Sequence, residues 1–250
     1  IGFPRSGTTL LEQRLDAHPG LVASPERVAF LRDALPALCR AGGGALTMDC
    51  LDAAPATVLE RERRRYLDSM EAALGCGLGG RTHLDKNPNH TGLLPGLLRL
   101  FPESRFVVSL RDPRDVVTSC VLRTFRVTEF SVMLLDWRSA AELYAVEMGA
   151  WLRYRAALDP AQWVETRYED GLDAPERETR RVLDRLDLPW DDAVSRYRER
   201  IQTKLVDSPT QTEVRAPPTR RAVGRWRAYE RHLAPHLPLL QPFLDAFGYD

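Results

Sequence analysis

The chain of 250 residues carries 35 basic and 35 acidic side chains, so its formal net charge is zero, and 44% of it is hydrophobic. That composition suits one sizeable α/β domain, excludes a disordered chain, and gives no argument for nucleic acid or an anionic membrane as the main partner. No run of 18 apolar residues occurs, so no membrane span is expected, and Cys39, Cys50, Cys76 and Cys120 show neither a C-x-x-C pair nor zinc spacing, which suits free thiols in a reducing, cytoplasmic compartment.

The first nine residues, Ile1-Gly2-Phe3-Pro4-Arg5-Ser6-Gly7-Thr8-Thr9, organise the rest. An apolar start runs into a Gly/Pro/Ser turn, and a helix is predicted at once with Leu10, Leu11 and Leu15 as its apolar face and Glu12 elsewhere. Strand, tight loop and helix form a layout that cradles phosphate, because backbone N–H groups and the helix N-terminus converge on an anion. Gly2, Gly7 and Thr9 keep the spacing of a P-loop, but Thr8 stands at the lysine position and the cation is Arg5, inside the loop. A nucleoside-triphosphate enzyme needs that lysine. The loop therefore suits a phosphate-like group other than ATP with metal; the bland alternative is an ordinary Gly/Pro turn. Ile1-Gly2-Phe3 is short for a core strand, so upstream residues are expected to complete it.

After a helix stop at His18-Pro19-Gly20, Leu21-Val22-Ala23 reads as a short strand, and helix resumes near Val28. Glu26 falls at that strand-to-helix junction, where open α/β sheets bind ligands; its other reading is a first-turn glutamate favouring the helix N-terminus. Residues 33–56, with Gly42-Gly43-Gly44, read as a variable, mobile loop on the substrate side. A charged helix is predicted from Thr57 to Leu74, with residues 60–65 as a solvated face. Arg81 to Pro88 repeats the strand-to-loop pattern, and Lys86 is one of only two lysines, with Lys204. It is either a surface salt-bridge lysine or a cation that stabilises charge on a leaving oxygen.

Arg105–Leu110 reads as a strand running into a helix through Val116, Val117 and Cys120, with Asp112 near its N-cap. Arg111, Ser119 and Arg123 can converge there on one dianion. Two anion sites suit a 3′,5′-bisphosphorylated nucleotide. An irregular segment, 124–136, precedes a long helix from Trp137 to Leu158, and Trp163–Asp170 reads as the next strand. Tyr168 at its end is placed to stack on or hydrogen-bond an adenine. A helix from Pro175 to Leu186 follows. Residues 208–226 form a Pro-broken basic loop suited to folding over a nucleotide, and a helix from Pro235 to Phe247 closes the core.

Pro4-Arg5-Ser6-Gly7-Thr8-Thr9-Leu10 resembles the 5′-phosphosulfate loop of sulfotransferases that use 3′-phosphoadenosine-5′-phosphosulfate (PAPS). The resemblance runs along essentially the whole chain and is nearest to the tyrosylprotein branch and to bacterial enzymes that often follow tetratricopeptide repeats, although no such repeat is visible. It implies PAPS contacts from Arg5, Ser6, Gly7, Thr8, Thr9, Arg111, Ser119 (eight residues after Arg111), Arg123, Tyr168, Ser208 and Arg215. It implies catalytic roles for Glu26, eight residues after His18 of a His-Pro pair, for Lys86 in Lys-x-Pro, and for Arg5. Thr82-His83 echoes the Lys-Thr-His of the cytosolic branch with Arg81 in place of lysine, which ranks His83 below Glu26 as base. Gly224 stands where the tyrosylprotein branch has a serine. The expected fold is α/β, a P-loop-like central parallel sheet flanked by helices, in one domain over 1–250. The expected reaction is in-line sulfuryl transfer from PAPS to a hydroxyl or amine acceptor, with no metal, since no carboxylate cluster offers to bind one. A homodimer stays open. A P-loop-type kinase and a silent nucleotide-binding domain are the rival readings.

Overall fold

In a computed structural model of the chain, described over residues 1–123, 127–203 and 217–250, short parallel strands are wrapped by helices. Strand β1 (Leu21–Ala23) pairs in parallel with β2 (Thr82–Leu84), with Val22 opposite His83. Strand β3 (Phe106–Leu110) pairs in parallel with β4 (Trp163–Arg167). Residues 1–2 add to β3: the Ser109 amide donates to Ile1 O at 3.0 Å, and Gly2 bridges Ser109. Parallel strands need helical crossovers, and burial on both faces explains their apolar run in β1 and β3.

Three helices lead out of strand ends towards the site. Helix α1 (Thr8–Leu15) starts directly after Gly7, which holds a φ of 96° that a side chain rarely adopts. Its buried positions are Thr8, Thr9, Glu12, Gln13, Arg14 and Leu15, whereas Leu10 and Leu11 are only half-buried. The leucine face packs as expected, Leu15 in a buried apolar cluster with Leu11 against it and Leu10 against a second; what the sequence did not predict is that the polar face is buried too. Helices α2 (Leu35–Ala41), α3 (Met48–Asp52), α4 (Ala56–Leu74) and α5 (Leu94–Leu100) form a satellite around Phe30, Leu38, Leu51, Tyr66, Met70 and Leu100.

This satellite corrects the expectation of a variable loop over 33–56. Leu35, Leu38, Leu51 and Ala54 are buried, and Thr47 caps α3 by accepting from the Cys50 amide at 3.3 Å. Gly42 sits so close to the Cys50 carbonyl that a Cβ would lie 1.7 Å from it. Within α4, Glu62 is buried and paired with Arg61 and Arg65, so residues 60–65 are not wholly a solvated face.

Helix α6 (Pro113–Val121) follows β3, with Asp112 accepting from the Arg114 amide at 2.9 Å as N-cap. After α7 (Glu129–Val132) comes α8 (Trp137–Ala157), whose Tyr144, Met148 and Trp151 enter the main core with Phe3, Val108, Val117 and Phe243. Strand β4 ends at Arg167. Tyr168 opens helix α9 (Tyr168–Asp173) and is not the end of a strand reaching Asp170. Helix α10 (Pro175–Arg185) packs on β4.

Candidate active site

The loop from Gly2 to Gly7 is bent by three residues at positive φ, Gly2 (132°), Arg5 (73°) and Gly7 (96°). Arg5 carries a side chain there, a strained choice that persists where the surroundings enforce it. The surroundings do so from three sides. Arg111 donates to the Arg5 carbonyl at 3.1 Å, Ser109 Oγ donates to the Ser6 carbonyl at 2.8 Å, and the Ser6 amide closes on Phe3 O at 3.1 Å. Beyond Gly7 the first amides of α1 have no partner within the helix, so the loop presents donors and a positive helix end together.

The side chains predicted to hold a nucleotide come together here. Arg5 Nε donates to Ser119 Oγ at 3.1 Å. The Arg111 guanidinium stacks over the Tyr168 ring at 5.1 Å, and a Cβ added to Gly7 would lie 2.6 Å from that ring. Arg123 lies just past the end of α6. Burial, then neighbouring Arg5 and Arg225, lowers its proton affinity. Arg5 is lowered in the same way, by burial first and then partly by Arg225. Four arginines thus share one electropositive patch.

Two atoms in this patch carry an unmet bonding capacity. Ser6 Oγ and Arg111 Nε are buried and have no hydrogen-bond partner among the described residues. Such groups are costly in a folded chain and mark this patch as one with bonding capacity in reserve. Thr8 and Thr9 are buried in the first turn of α1. Ser208 and Arg215 lie outside the described residues.

The second cluster stands at the carboxyl ends of β1 and β2. The register that sets Ala23 opposite Leu84 brings the segments bearing Glu26 and Lys86 side by side. Lys86, 7% exposed, ion-pairs with Glu26, which is 34% exposed, and with Glu12 Oε2 at 3.5 Å. The surface-lysine reading of Lys86 is excluded by that burial. His83 is turned to the same end, but its Nε2 lies 2.9 Å from Ser24 Oγ. Burial lowers its proton affinity, partly offset by Asp85. Asp85 in turn accepts from Tyr66 Oη at 2.5 Å and pairs with His90 at 3.4 Å.

Sequence reasoning missed Glu12 and Arg225. Glu12 was placed outside the apolar face, and no linear spacing links it to Lys86. Arg225 was read only as part of a basic run; it neighbours Arg5 and Arg123, and Asp115 holds the backbone on both sides of it, accepting from Gly224 N at 2.7 Å and Trp226 N at 2.9 Å.

Comparison with known proteins agrees with this geometry. A family model described as "Sulfotransferase family" matches residues 1–192. A putative protein-tyrosine sulfotransferase of Caenorhabditis briggsae is 28% identical, over 100% of this chain and 87% of its own. Protein-tyrosine sulfotransferase 1 of Danio rerio is 27% identical, over 100% of this chain and 71% of its own. Among solved structures, the sulfotransferase domain from the olefin synthase of Synechococcus PCC 7002 superposes with a TM-score of 0.64 at 19% identity, over 100% of this chain and 94% of that one, which bears on the fold alone. The predicted P-loop-like α/β fold and the predicted enzyme class both stand, and the chain belongs to the sulfotransferase family.

Proposed function

We propose that this sulfotransferase takes its sulfuryl group from PAPS and passes it to a hydroxyl or amine acceptor by in-line displacement. The observation that carries the reading is the joint presence of a partnerless Ser6 Oγ and Arg111 Nε at a phosphate-type loop, and of a Lys86–Glu26 pair at the adjoining strand ends. The loop amides, Arg5, Ser6, Thr8 and Thr9 would hold the 5′-phosphosulfate end. Arg111, Ser119 and Arg123 would hold the 3′-phosphate, and Tyr168 would face the adenine.

In the step itself, the acceptor oxygen or nitrogen forms a bond to sulfur while the bond from sulfur to the 5′-phosphate oxygen breaks. The acceptor's proton passes to Glu26, and the electron pair leaves with 3′-phosphoadenosine-5′-phosphate (PAP). Glu26 is the better-placed base because it is partly exposed and reaches incoming substrate, whereas His83 is engaged with Ser24. Lys86 and Arg5 place fixed positive charge where the leaving oxygen gains negative charge. The described residues contain no helix long and apolar enough to cross a membrane.

Calorimetry with PAP against ATP–Mg²⁺ tests the donor. Tight PAP binding with no requirement for Mg²⁺ is the expected result; preference for ATP–Mg²⁺ would overturn it. The names of the relatives make an acidic tyrosyl peptide the first acceptor to try with labelled PAPS, beside sugars, lipids and small phenols.

A further inference from the structure

Resting on the assignment of Glu26 as base and Lys86 as cation, we propose that Glu12 is a positioning residue for the transfer step: it is the counter-charge that holds Lys86 while Glu26 takes up the acceptor's proton. Glu12 is a carboxylate on the first helix after the phosphate loop, 9% exposed, in a region otherwise built to attract anions. A buried negative charge there is expensive in itself, so it persists only with a compensating partner. Lys86, 3.5 Å from Glu12 Oε2, is such a partner.

The three groups form a charge relay in the accounting sense only; no proton moves through Glu12. With both glutamates ionised, the trio carries one net negative charge. When Glu26 accepts the acceptor's proton, it becomes neutral, and Lys86 stays paired with Glu12. Without Glu12, the same transfer would strip a buried ammonium of its only counter-charge within the trio, which opposes the step. Glu12 also fixes where the ammonium waits. It sits one turn beyond Thr8 and Thr9, on the buried face of the helix whose N-terminus faces the phosphate. Lys86 is thereby tethered to the element that holds the leaving group.

Glu12→Gln keeps the size and removes the charge. PAP affinity should stay unchanged by calorimetry, while PAP release from PAPS, with a tyrosyl peptide or with water as acceptor, should slow roughly ten- to hundredfold, part of the factor a general base supplies. Glu12→Asp should recover part of the loss. A second readout needs no turnover. Because the chain has only two lysines, the Lys86 ammonium resonance in a ¹H–¹⁵N spectrum is identified by its disappearance in Lys86→Arg. It should be protected from rapid proton exchange in the wild type, and shifted or broadened in Glu12→Gln. Undiminished turnover in Glu12→Gln overturns the proposal. So does slow turnover with an unmoved Lys86 resonance, since Glu12 would then act otherwise than through Lys86. Full turnover in Glu26→Gln would bring down the base assignment beneath it, and the proton step with it, whatever the Lys86 resonance does.

Discussion

Replacing Arg111 by alanine tests the nucleotide site at its most connected residue. The guanidinium is 6% exposed, donates to the carbonyls of Arg5 (3.1 Å) and Ala222 (2.5 Å), pairs with Asp115 at 3.8 Å and leaves Nε unmatched. A charged hydrogen bond to a buried anion contributes about 1.5–3 kcal/mol. The substitution also leaves Asp115 without its cation, facing the phosphate that the site must admit. Its carboxyl is already pushed up by burial, with Arg111 the first of the groups that hold it down. The two effects together come to about 3–4 kcal/mol, or roughly a 100- to 1000-fold rise in Kd for PAP. Calorimetry on wild type, Arg111→Ala and Arg111→Lys measures it. The lysine variant restores charge without the planar fork and should recover only part of the affinity. A folded Arg111→Ala protein that binds PAP within threefold of wild type would refute the placement of the 3′-phosphate.

Glu26→Gln should cut turnover by roughly 10²–10⁴ with PAP affinity intact, while His83→Asn should leave most turnover in place; the reverse pattern, read from steady-state rates, would make His83 the base. Gly7→Ala meets the Tyr168 ring at 2.6 Å from a backbone at φ 96°, and should cost about 1–3 kcal/mol in a denaturant titration while weakening PAP. Burial pushes the Cys120 thiol up from 9.0 to about 12, so thiol reagent at pH 8 should label exposed Cys76 in the native protein and Cys120 only after unfolding. The native state keeps that proton longer than the unfolded chain does. Its contribution to stability is therefore complete below pH 9 and lost between about pH 9 and 12, which Cys120→Ala should flatten in unfolding experiments.

Motifs whose chemistry is local were legible in the sequence. The loop was readable because glycines, a cation and hydroxyls are contiguous, and Asp112 because an N-cap precedes its helix by one residue. One strand end was readable where Leu21-Val22-Ala23 stops at Ser24, which located Glu26; Lys86 was singled out by the strand-to-loop pattern of 81–88, by the scarcity of lysine and by the resemblance, before any pairing was known. What remained hidden depends on three-dimensional neighbours. Glu12 looks like a solvent-side glutamate until α1 is seen to turn its polar face inward. The 33–56 segment has no regular apolar period because its helices are five and seven residues long, too short to show one. Tyr168 was taken as the end of a strand running to Asp170, yet α9 begins there.

On the proposed roles, the arrangement ties the loop that would bind the donor to the segment bearing Lys86 through very few covalent links. Helix α1 leaves the phosphate loop at Gly7 and reaches Lys86 through Glu12. On the other side of the loop, the Gly2 amide donates to Thr91 Oγ1 at 3.1 Å and that hydroxyl returns to the Gly2 carbonyl at 2.9 Å. Thr91 belongs to the turn that begins at Pro88, two residues after Lys86. Both flanks of the loop are therefore tied to the segment that carries Lys86, the cation proposed to act in the transfer. In-line transfer demands that the acceptor, the sulfur and the leaving oxygen stay aligned, and a misplacement of about 1 Å can cost a hundredfold in rate. A loop fastened at both ends to the Lys86 strand end meets that demand without a rigid sheet spanning the distance. On the proposed roles, the three-residue strands β1 and β2 need only deliver Glu26 and Lys86 to one edge, while the buried Thr91 and Glu12 contacts tie that edge to the loop.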